Sequence, residues 1–504
     1  MSDERFGSVK LVGAGPGDAG LITVKGMDAI KNADVIVYDS LISMSLLNDI
    51  KEDAVLVYAG KRAGRHHLSQ EEINQMLISY AKQGYEVVRL KGGDPFIFGR
   101  GGEEAYALKR EGIDFTVIPG VSSAYAVPAY NGIPVTHRTY ASSIHIITGH
   151  ESGEKNGRSV LDYHVLAQEE GTLIFLMGLS NLPNIVRELI ACGKDPKTPA
   201  AVLQQGTTAK QKAAFAKLET IVAECANKQI QAPAVIVVGE AVKLSKDLAW
   251  FGHGVLFGKK IMITGTSRMA RHMTEEIQKY GGEAVAFRLI RTKKKKADLR
   301  NIADYTWAVF TSANGVKYFF ETLKEQGIDL RELMHLKFAV IGSSTKRELW
   351  NYGFASDYMP ASFSSRDLAE GLIPQLNPND LIGLFRAEEA SEVLSFELSR
   401  CGIPFRELPL YQTVVEESRK EELLRQLPDI DYLTFGSSSA VKAFAQMTEH
   451  YDGPMPDMIS IGPITTNTLT EYGFSVKKTA KVYTTKGMCE ALVEEAQRCE
   501  KDFC

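Results

Sequence analysis

The 504-residue sequence is poor in several features that assign other proteins at once. It has six cysteines, Cys192, Cys225, Cys401, Cys489, Cys499 and Cys504, and none form a CxxC pair. Neither a zinc site nor a disulfide framework is therefore expected. No apolar run approaches the ~18 residues that a membrane helix needs. The opening MSDERFGSVK lacks the apolar stretch of a secretory signal. An excess of one charge is missing too. The 58 basic and 62 acidic residues leave −4, shared evenly between the halves, which excludes a basic nucleic-acid module and an acidic tail. Biased composition is confined to RTKKKK, Arg291 to Lys296. The expectation is a reduced, soluble, cytoplasmic protein without a metal. Its length exceeds the ~250–300 residues that one hydrophobic core supports.

What is present is alternation. SVKLV (8–12), DVIVY (34–38), AVLVY (54–58) and EVVRL (86–90) read as buried strands, separated by amphipathic stretches such as 21–32 and 70–83. This pattern predicts parallel sheets with crossover helices, and ligands at strand carboxyl ends where Gly-rich turns gather. The alternation pauses over Trp250 to Gly258. It restarts with KIMITGT (260–266), TWAVFTS (306–312), KFAVIGS (337–343), LIGLFRA (381–387), DYLTFGS (431–437) and MISIGP (458–463). A domain boundary is expected near 250–258.

In the first half, GAGPGD (Gly13 to Asp18) lies between strand and helix, where glycine lets backbone approach a ligand. A dinucleotide fingerprint would place glycine where Asp18 stands. A nicotinamide-dependent oxidoreductase is thus an alternative that Pro16 and Asp18 count against. RLKGGDPFIFGRGGEE, Arg89 to Glu104, carries enough glycine and proline for a loop folded around a ligand. The small residues of PGVSSAYAVPAYNGIPVTHR (119–138) let backbone meet a flat one. YDSLIS puts Asp39 at a strand end, and GKRAGRHH does the same for Lys61, Arg62 and Arg65.

Taken in order, GAGPGD, YDSLIS, GKRAG, RLKGGDPFIFGRG, GIPVTHR and FLMGL resemble uroporphyrinogen-III C-methyltransferase, a tetrapyrrole methylase that uses S-adenosylmethionine. The resemblance covers about residues 8–250. It implies an α/β tetrapyrrole methylase fold over 1–252, with lobes of about 1–118 and 119–252, and a homodimer through this half. It implies two methylations of pyrrole carbons, giving precorrin-2. Pro16, Gly92, Gly93, Asp94, Ile97, Ser122, Ser123, Met177 and Ala201 would line the methyl-donor pocket, although Met177 also suits a core. Asp39 would accept a proton and Lys61 donate one. The substrate's eight carboxylates ask for local cations, with Arg62, Arg65, His137 and Arg138 as candidates. No oxidising, iron-inserting module precedes residue 10, so the chain is expected to stop at precorrin-2.

In the second half, TSANGV (311–316), GSST (342–345), GSSSAV (436–441) and GPITT (462–466) each end a strand and open a helix. Free N–H groups there favour anions, but N-capping asks for the same residue types. Four such ends along one sheet edge would make a polyanion cradle. With the LPLYQT turn (408–413), these segments resemble uroporphyrinogen-III synthase over about 259–500. The resemblance implies a linker at 253–258 and a two-lobed, flavodoxin-like α/β synthase domain over 259–504. Lobe one would take about 259–290 plus 412–504, and lobe two about 297–407, with crossings near 288–297 and 407–414. RTKKKK would be a solvated hinge or a patch that steers an anionic substrate. Hydroxymethylbilane would be cyclised to uroporphyrinogen III, with ring D inverted and no cofactor. Tyr411 would give a proton to the leaving hydroxyl, unless it is only a buried strand tyrosine. Ser312, Asn314, Thr345, Ser437 and Thr465 would hold carboxylates, partly through backbone N–H. The combined expectation is a bifunctional enzyme acting on small tetrapyrroles, with neither nucleic acid nor membrane as partner. A methyltransferase joined to an inactive tetrapyrrole-binding half is the alternative.

Overall fold

The computed structural model describes residues 6–48, 50–51, 54–60, 68–149, 161–361 and 364–502. The expected site residues Lys61, Arg62 and Arg65 lie outside the described residues.

The first strands are β1 (Val9–Gly13), β2 (Val35–Tyr38), β3 (Val55–Tyr58), β4 (Val87–Lys91) and β5 (Phe115–Ile118). They form an all-parallel sheet in the order β3-β2-β4-β1-β5. The near-continuous apolar runs suit a sheet covered on both faces. Val9, Leu11, Val35, Val37 and Val87 join one core. Val12, Ile36, Val88 and Leu90 join the other. From β1 the chain moves to one side of the sheet, and from β4 it crosses to β5 on the other. The loops after β1 and β4 therefore part at the switch point where such sheets take ligands.

The second sheet contains β6 (Ile144–Thr148), β7 (Thr172–Leu176), β8 (Pro199–Gln204), β9 (Lys212–Lys217) and β10 (Ala234–Val238), in the order β6-β7-β10-β8-β9. Here β6 and β7 pair in parallel and the other pairs are antiparallel. This departs from the parallel sheets that alternation predicts. The turn over 205–211 is too short for the crossover helix that a parallel β8–β9 pair would need.

Two strands, β11 (Lys260–Thr264) and β12 (Glu283–Phe287), begin a third sheet. The chain then builds a fourth from β13 (Ile290–Lys294), β14 (Trp307–Phe310), β15 (Lys337–Val340), β16 (Ile382–Ala387) and β17 (Phe405–Val415). It returns as β18 (Tyr432–Phe435), β19 (Asp457–Ser460) and β20 (Val476–Thr479). The third sheet is parallel, in the order β12-β11-β18-β19-β20, and the fourth runs β13-β17-β16-β14-β15.

The expected hinge and the second expected crossing are corrected by this topology. The first crossing falls at 288–289, inside the expected 288–297, but residues 290–294 are strand β13, antiparallel to β17, rather than a hinge, and 407–414 lies wholly within β17, so the return comes after Glu421. Each residue of 290–294 has a ladder partner in 411–415, which a hinge would not. The segment expected as a linker is packed: Leu256 is buried in a core with Ile261 and Ile277. Just before it, Trp250 Nε1 donates to Ala129 O at 3.0 Å.

The chain divides into two compact units, Met1–Arg288 with Glu422–Ala445 and Glu449–Cys504, and Leu289–Glu421 with Gln446–Thr448. Within the first, Lys210 Nζ donates to Asp429 O at 2.7 Å and Gly258 N to Ala209 O at 3.0 Å. Among the described residues, no helix is long and apolar enough to cross a membrane, and no group of three or more His, Cys, Asp or Glu is placed to hold a metal.

Candidate active sites

The loops after β1, β4 and β5 meet at the carboxyl edge of the first sheet. Gly15 N donates to Gly93 O at 3.2 Å, and Gly93 N donates back to Gly15 O at 2.7 Å. A Cβ on Gly13 would stand 2.6 Å from both Gly120 Cα and Gly93 O, so these backbones pack closer than any side chain allows. Asp94 ties the loops together. Its Oδ1 accepts from Phe96 N (2.8 Å) and Ile97 N (3.1 Å), and its Oδ2 from Gly120 N (3.0 Å). Ser122 is buried and caps the helix Ser123–Tyr130, its Oγ accepting from Ala124 N at 3.3 Å. Gly92 packs against Leu41, whose Cβ would be 2.6 Å from a Cβ at that glycine. Pro16 is partly exposed on the neighbouring β1 loop.

Asp18, where a dinucleotide fingerprint needs glycine, is a structural anchor. Its backbone N donates to Thr207 Oγ1 at 3.1 Å, and its carboxylate accepts from Gly20 N and from the Tyr130 hydroxyl, each at 2.8 Å. Burial, and then donation to Asp18, raise the pKa of the Tyr130 phenol. The nicotinamide alternative is not favoured.

Pro16, Gly92, Gly93, Asp94, Ile97, Ser122 and Ser123 thus share one edge, whereas Met177 and Ala201 belong to the second sheet. Met177 follows β7 with φ +57° and is 54% exposed, which excludes the core role. Ala201 is wholly buried in β8, in a core with Ala124 and Val127. Against expectation it presents no surface, because β8 is an inner strand flanked by β10 and β9.

Asp39 follows β2. Its Oδ1 accepts from Leu41 N at 3.0 Å, and its Oδ2 lies 3.6 Å from Arg89 Nη2. Arg89 and Lys91 sit two apart on β4, on one face, and both are buried. Between them lies Glu104 of the helix Gly101–Arg110, fully excluded from solvent. Glu104 Oε1 accepts from Lys91 Nζ (2.8 Å), Gln70 Nε2 (3.1 Å) and Arg89 Nε (3.3 Å). Arg89 Nη1 donates to Leu90 O at 3.1 Å and Val37 O at 3.3 Å. Burial and then the Arg89 charge lower the pKa of Lys91, while Glu104 pulls the other way.

Sequence reading missed this cluster because it took the segment for its glycines. The signal was two cations at i and i+2 in a strand otherwise built to be buried, with an acid on the next helix. His137 Nδ1 accepts from Thr139 N at 3.1 Å, leaving Nε2 to carry the proton, and Arg138 is exposed.

The four strand-end motifs of the second half do not share one sheet edge. Those after β14 and β15 belong to the fourth sheet, and those after β18 and β19 to the third, because the chain leaves and re-enters the third. Ser312 N-caps the helix Ala313–Gln326, its Oγ accepting from Gly315 N at 3.0 Å. The same Oγ lies 2.8 Å from the hydroxyl of Tyr411, a buried residue of β17. Burial raises the Tyr411 pKa, and the Ser312 hydrogen bond pulls it back. The Tyr318 ring stands 5.4 Å from that of Tyr411, and its hydroxyl is 2.7 Å from Thr292 Oγ1.

Asn314 is exposed, and Ser437 is partly exposed with its Oγ accepting from Ala440 N at 3.3 Å. Thr345 and Thr465 are corrected. Both are buried, because each lies on the inner face of its helix, so their hydroxyls face the core rather than a carboxylate. In β13, Arg291 pairs with Glu416 at 3.3 Å and Lys294 with Glu325 at 2.8 Å, and just after it Lys295 pairs with Glu388, while Lys293 and Lys296 are exposed.

Two family models match the chain. Tetrapyrrole (Corrin/Porphyrin) Methylases matches residues 8–222, and Uroporphyrinogen-III synthase HemD matches residues 271–490. The porphyrin biosynthesis protein HemD of Ruminiclostridium josui is 38% identical over 446 residues, covering 87% of this chain and 88% of that protein. The uroporphyrinogen-III C-methyltransferase of Methanocaldococcus jannaschii is 52% identical over 239 residues, covering 47% of this chain and 98% of that protein. Among solved structures, the uroporphyrin-III C-methyl transferase of Thermus thermophilus complexed with S-adenyl homocysteine is 35% identical, covers 47% of this chain and 94% of its own, and gives a TM-score of 0.40. The chain belongs to the tetrapyrrole methylase family in its N-terminal half and to the uroporphyrinogen-III synthase family in its C-terminal half, the two fused in one polypeptide.

Proposed function

We propose that the C-terminal half converts hydroxymethylbilane to uroporphyrinogen III, inverting ring D without a cofactor, and that the N-terminal half methylates the product twice to give precorrin-2. The observation that carries the methyltransferase reading is the junction of three glycine backbones, Gly13, Gly93 and Gly120, tied by Asp94 at the switch point of a parallel sheet. Its donor set fits S-adenosylmethionine. Backbone groups suit the polar ends of the molecule, and exposed Ile97 and Met177 suit its adenine. When bound, S-adenosylmethionine supplies a methyl group on a sulfonium.

The protein's own groups do the rest. Asp39, set by Leu41 N and Arg89, accepts the proton that the substrate releases, and Lys61 returns one. Arg62, Arg65, His137 and Arg138 pair with substrate carboxylates. In the second half, Tyr411 protonates the leaving hydroxyl. Asn314 and Ser437 bind substrate carboxylates, with Thr345 and Thr465 offering helix N-terminal amides rather than hydroxyls. The name of the M. jannaschii relative supports the methyltransferase assignment, and the match to the uroporphyrinogen-III synthase HemD model supports the synthase one. The full chain also forms a homodimer through its methyltransferase half, a state that sedimentation would report.

Calorimetry on the full chain tests the pocket. S-adenosylhomocysteine is expected to bind and NAD not to. Binding of NAD alone overturns the reading.

A further inference from the structure

We propose that Ser312 is a positioning residue for Tyr411, holding the phenol and stabilising the phenolate it becomes, rather than a carboxylate contact. This rests on the reading of Tyr411 as proton donor. Three observations converge. The Tyr411 hydroxyl is buried and lies 2.8 Å from Ser312 Oγ. That same Oγ accepts the Gly315 N–H at 3.0 Å, which polarises the serine O–H toward donation. Ser312 is also the N-cap of a 14-residue helix, whose N-terminal partial positive charge faces the new anion.

The chemistry fixes the direction of the bond. As the carbon–oxygen bond of the substrate's hydroxymethyl group breaks, at the end of the molecule opposite ring D, its electron pair leaves with oxygen, and the Tyr411 proton completes a water molecule. The pyrrole nitrogen lone pair supports the carbon left behind. Whichever way the resting Ser312–Tyr411 bond runs, the phenolate can only accept, so Ser312 then donates to it. Hydrogen bonds to ions are the strong ones. The pyrrole proton released when the macrocycle rearomatises returns to the phenolate, so no net proton is consumed.

Ser312→Gly separates this role from capping, since glycine is tolerated at an N-cap and removes the hydroxyl. Formation of the type III isomer is followed in the full chain. Ser312→Gly is expected to lower kcat by about 10- to 100-fold, the range of one hydrogen bond to an ion, with KM for hydroxymethylbilane little changed. Ser312→Thr is expected to restore kcat. In a Tyr411→Phe background, Ser312→Gly should cost nothing further. An unchanged kcat in Ser312→Gly beside an impaired Tyr411→Phe overturns this inference alone. So does a rise confined to KM, which would return Ser312 to carboxylate binding. An unimpaired Tyr411→Phe overturns the proton-donor reading itself.

Discussion

Lys91 Nζ lies 2.8 Å from Glu104 Oε1, and both side chains are all but closed to solvent. Arg89 reaches the same oxygen, so one carboxylate balances two buried cations in the floor beneath Asp39. Removing one partner of a buried ion pair leaves the other charge uncompensated, at a cost of about 3–5 kcal/mol. Glu104→Ala should therefore lower the melting temperature of the full chain and weaken methylation. A variant that melts like the wild type would contradict the account of this cluster.

Gly13 is the second point of leverage. A methyl group there would meet Gly120 Cα and Gly93 O at 2.6 Å, with no flexible side chain to yield. Gly13→Ala is expected to abolish S-adenosylhomocysteine binding in calorimetry while cyclisation continues. Retained binding would show that the three loops do not form the methyl-donor pocket.

Two substitutions should divide the activities. Asp39→Ala is expected to slow methylation by about 10²- to 10⁴-fold, the usual contribution of general acid–base groups, and to leave type III isomer formation intact. Tyr411→Phe is expected to do the reverse. Parallel assays of both products check this, and equal loss of both activities in either variant contradicts it.

Acid stability offers a test away from the chemistry. Asp34 accepts from Lys51 Nζ at 2.7 Å and Glu86 N at 2.9 Å. The Lys51 hydrogen bond, then that from Glu86 N, hold its pKa below the ordinary 3.8. The lowered pKa stabilises the fold above that ordinary value, and the benefit is lost as pH falls through the folded one. Asp34→Asn should melt lower than wild type at pH 7, with the gap closing below pH ~4. A gap that stays constant across this range would rule the linkage out.

Much of the architecture was legible in the sequence because buried parallel strands write themselves as short β-branched runs. SVKLV and DVIVY became strands of the parallel first sheet, and KFAVI a strand paired in parallel with β14. The mixed second sheet was not legible, since hairpin pairing depends on short turns such as 205–211 rather than on strand composition. Nor was the strand character of RTKKKK, because its charge hides a ladder position opposite Tyr411. In the sites, glycine and serine positions were readable from local motifs. The burial of Thr345 and Thr465 was not, since helix phase decides it. Contacts across distance, such as Asp18 with Tyr130 and Ser312 with Tyr411, leave no local signature.

The central claim is that one chain performs both steps, and product analysis tests it most directly. The full chain would be mixed with hydroxymethylbilane, with and without S-adenosylmethionine, and the tetrapyrroles separated by isomer and methylation state. The account predicts the type III isomer without S-adenosylmethionine and its dimethylated derivative with it. Type I isomer alone would contradict the synthase half, and unmethylated type III isomer in the presence of S-adenosylmethionine would contradict the methyltransferase half.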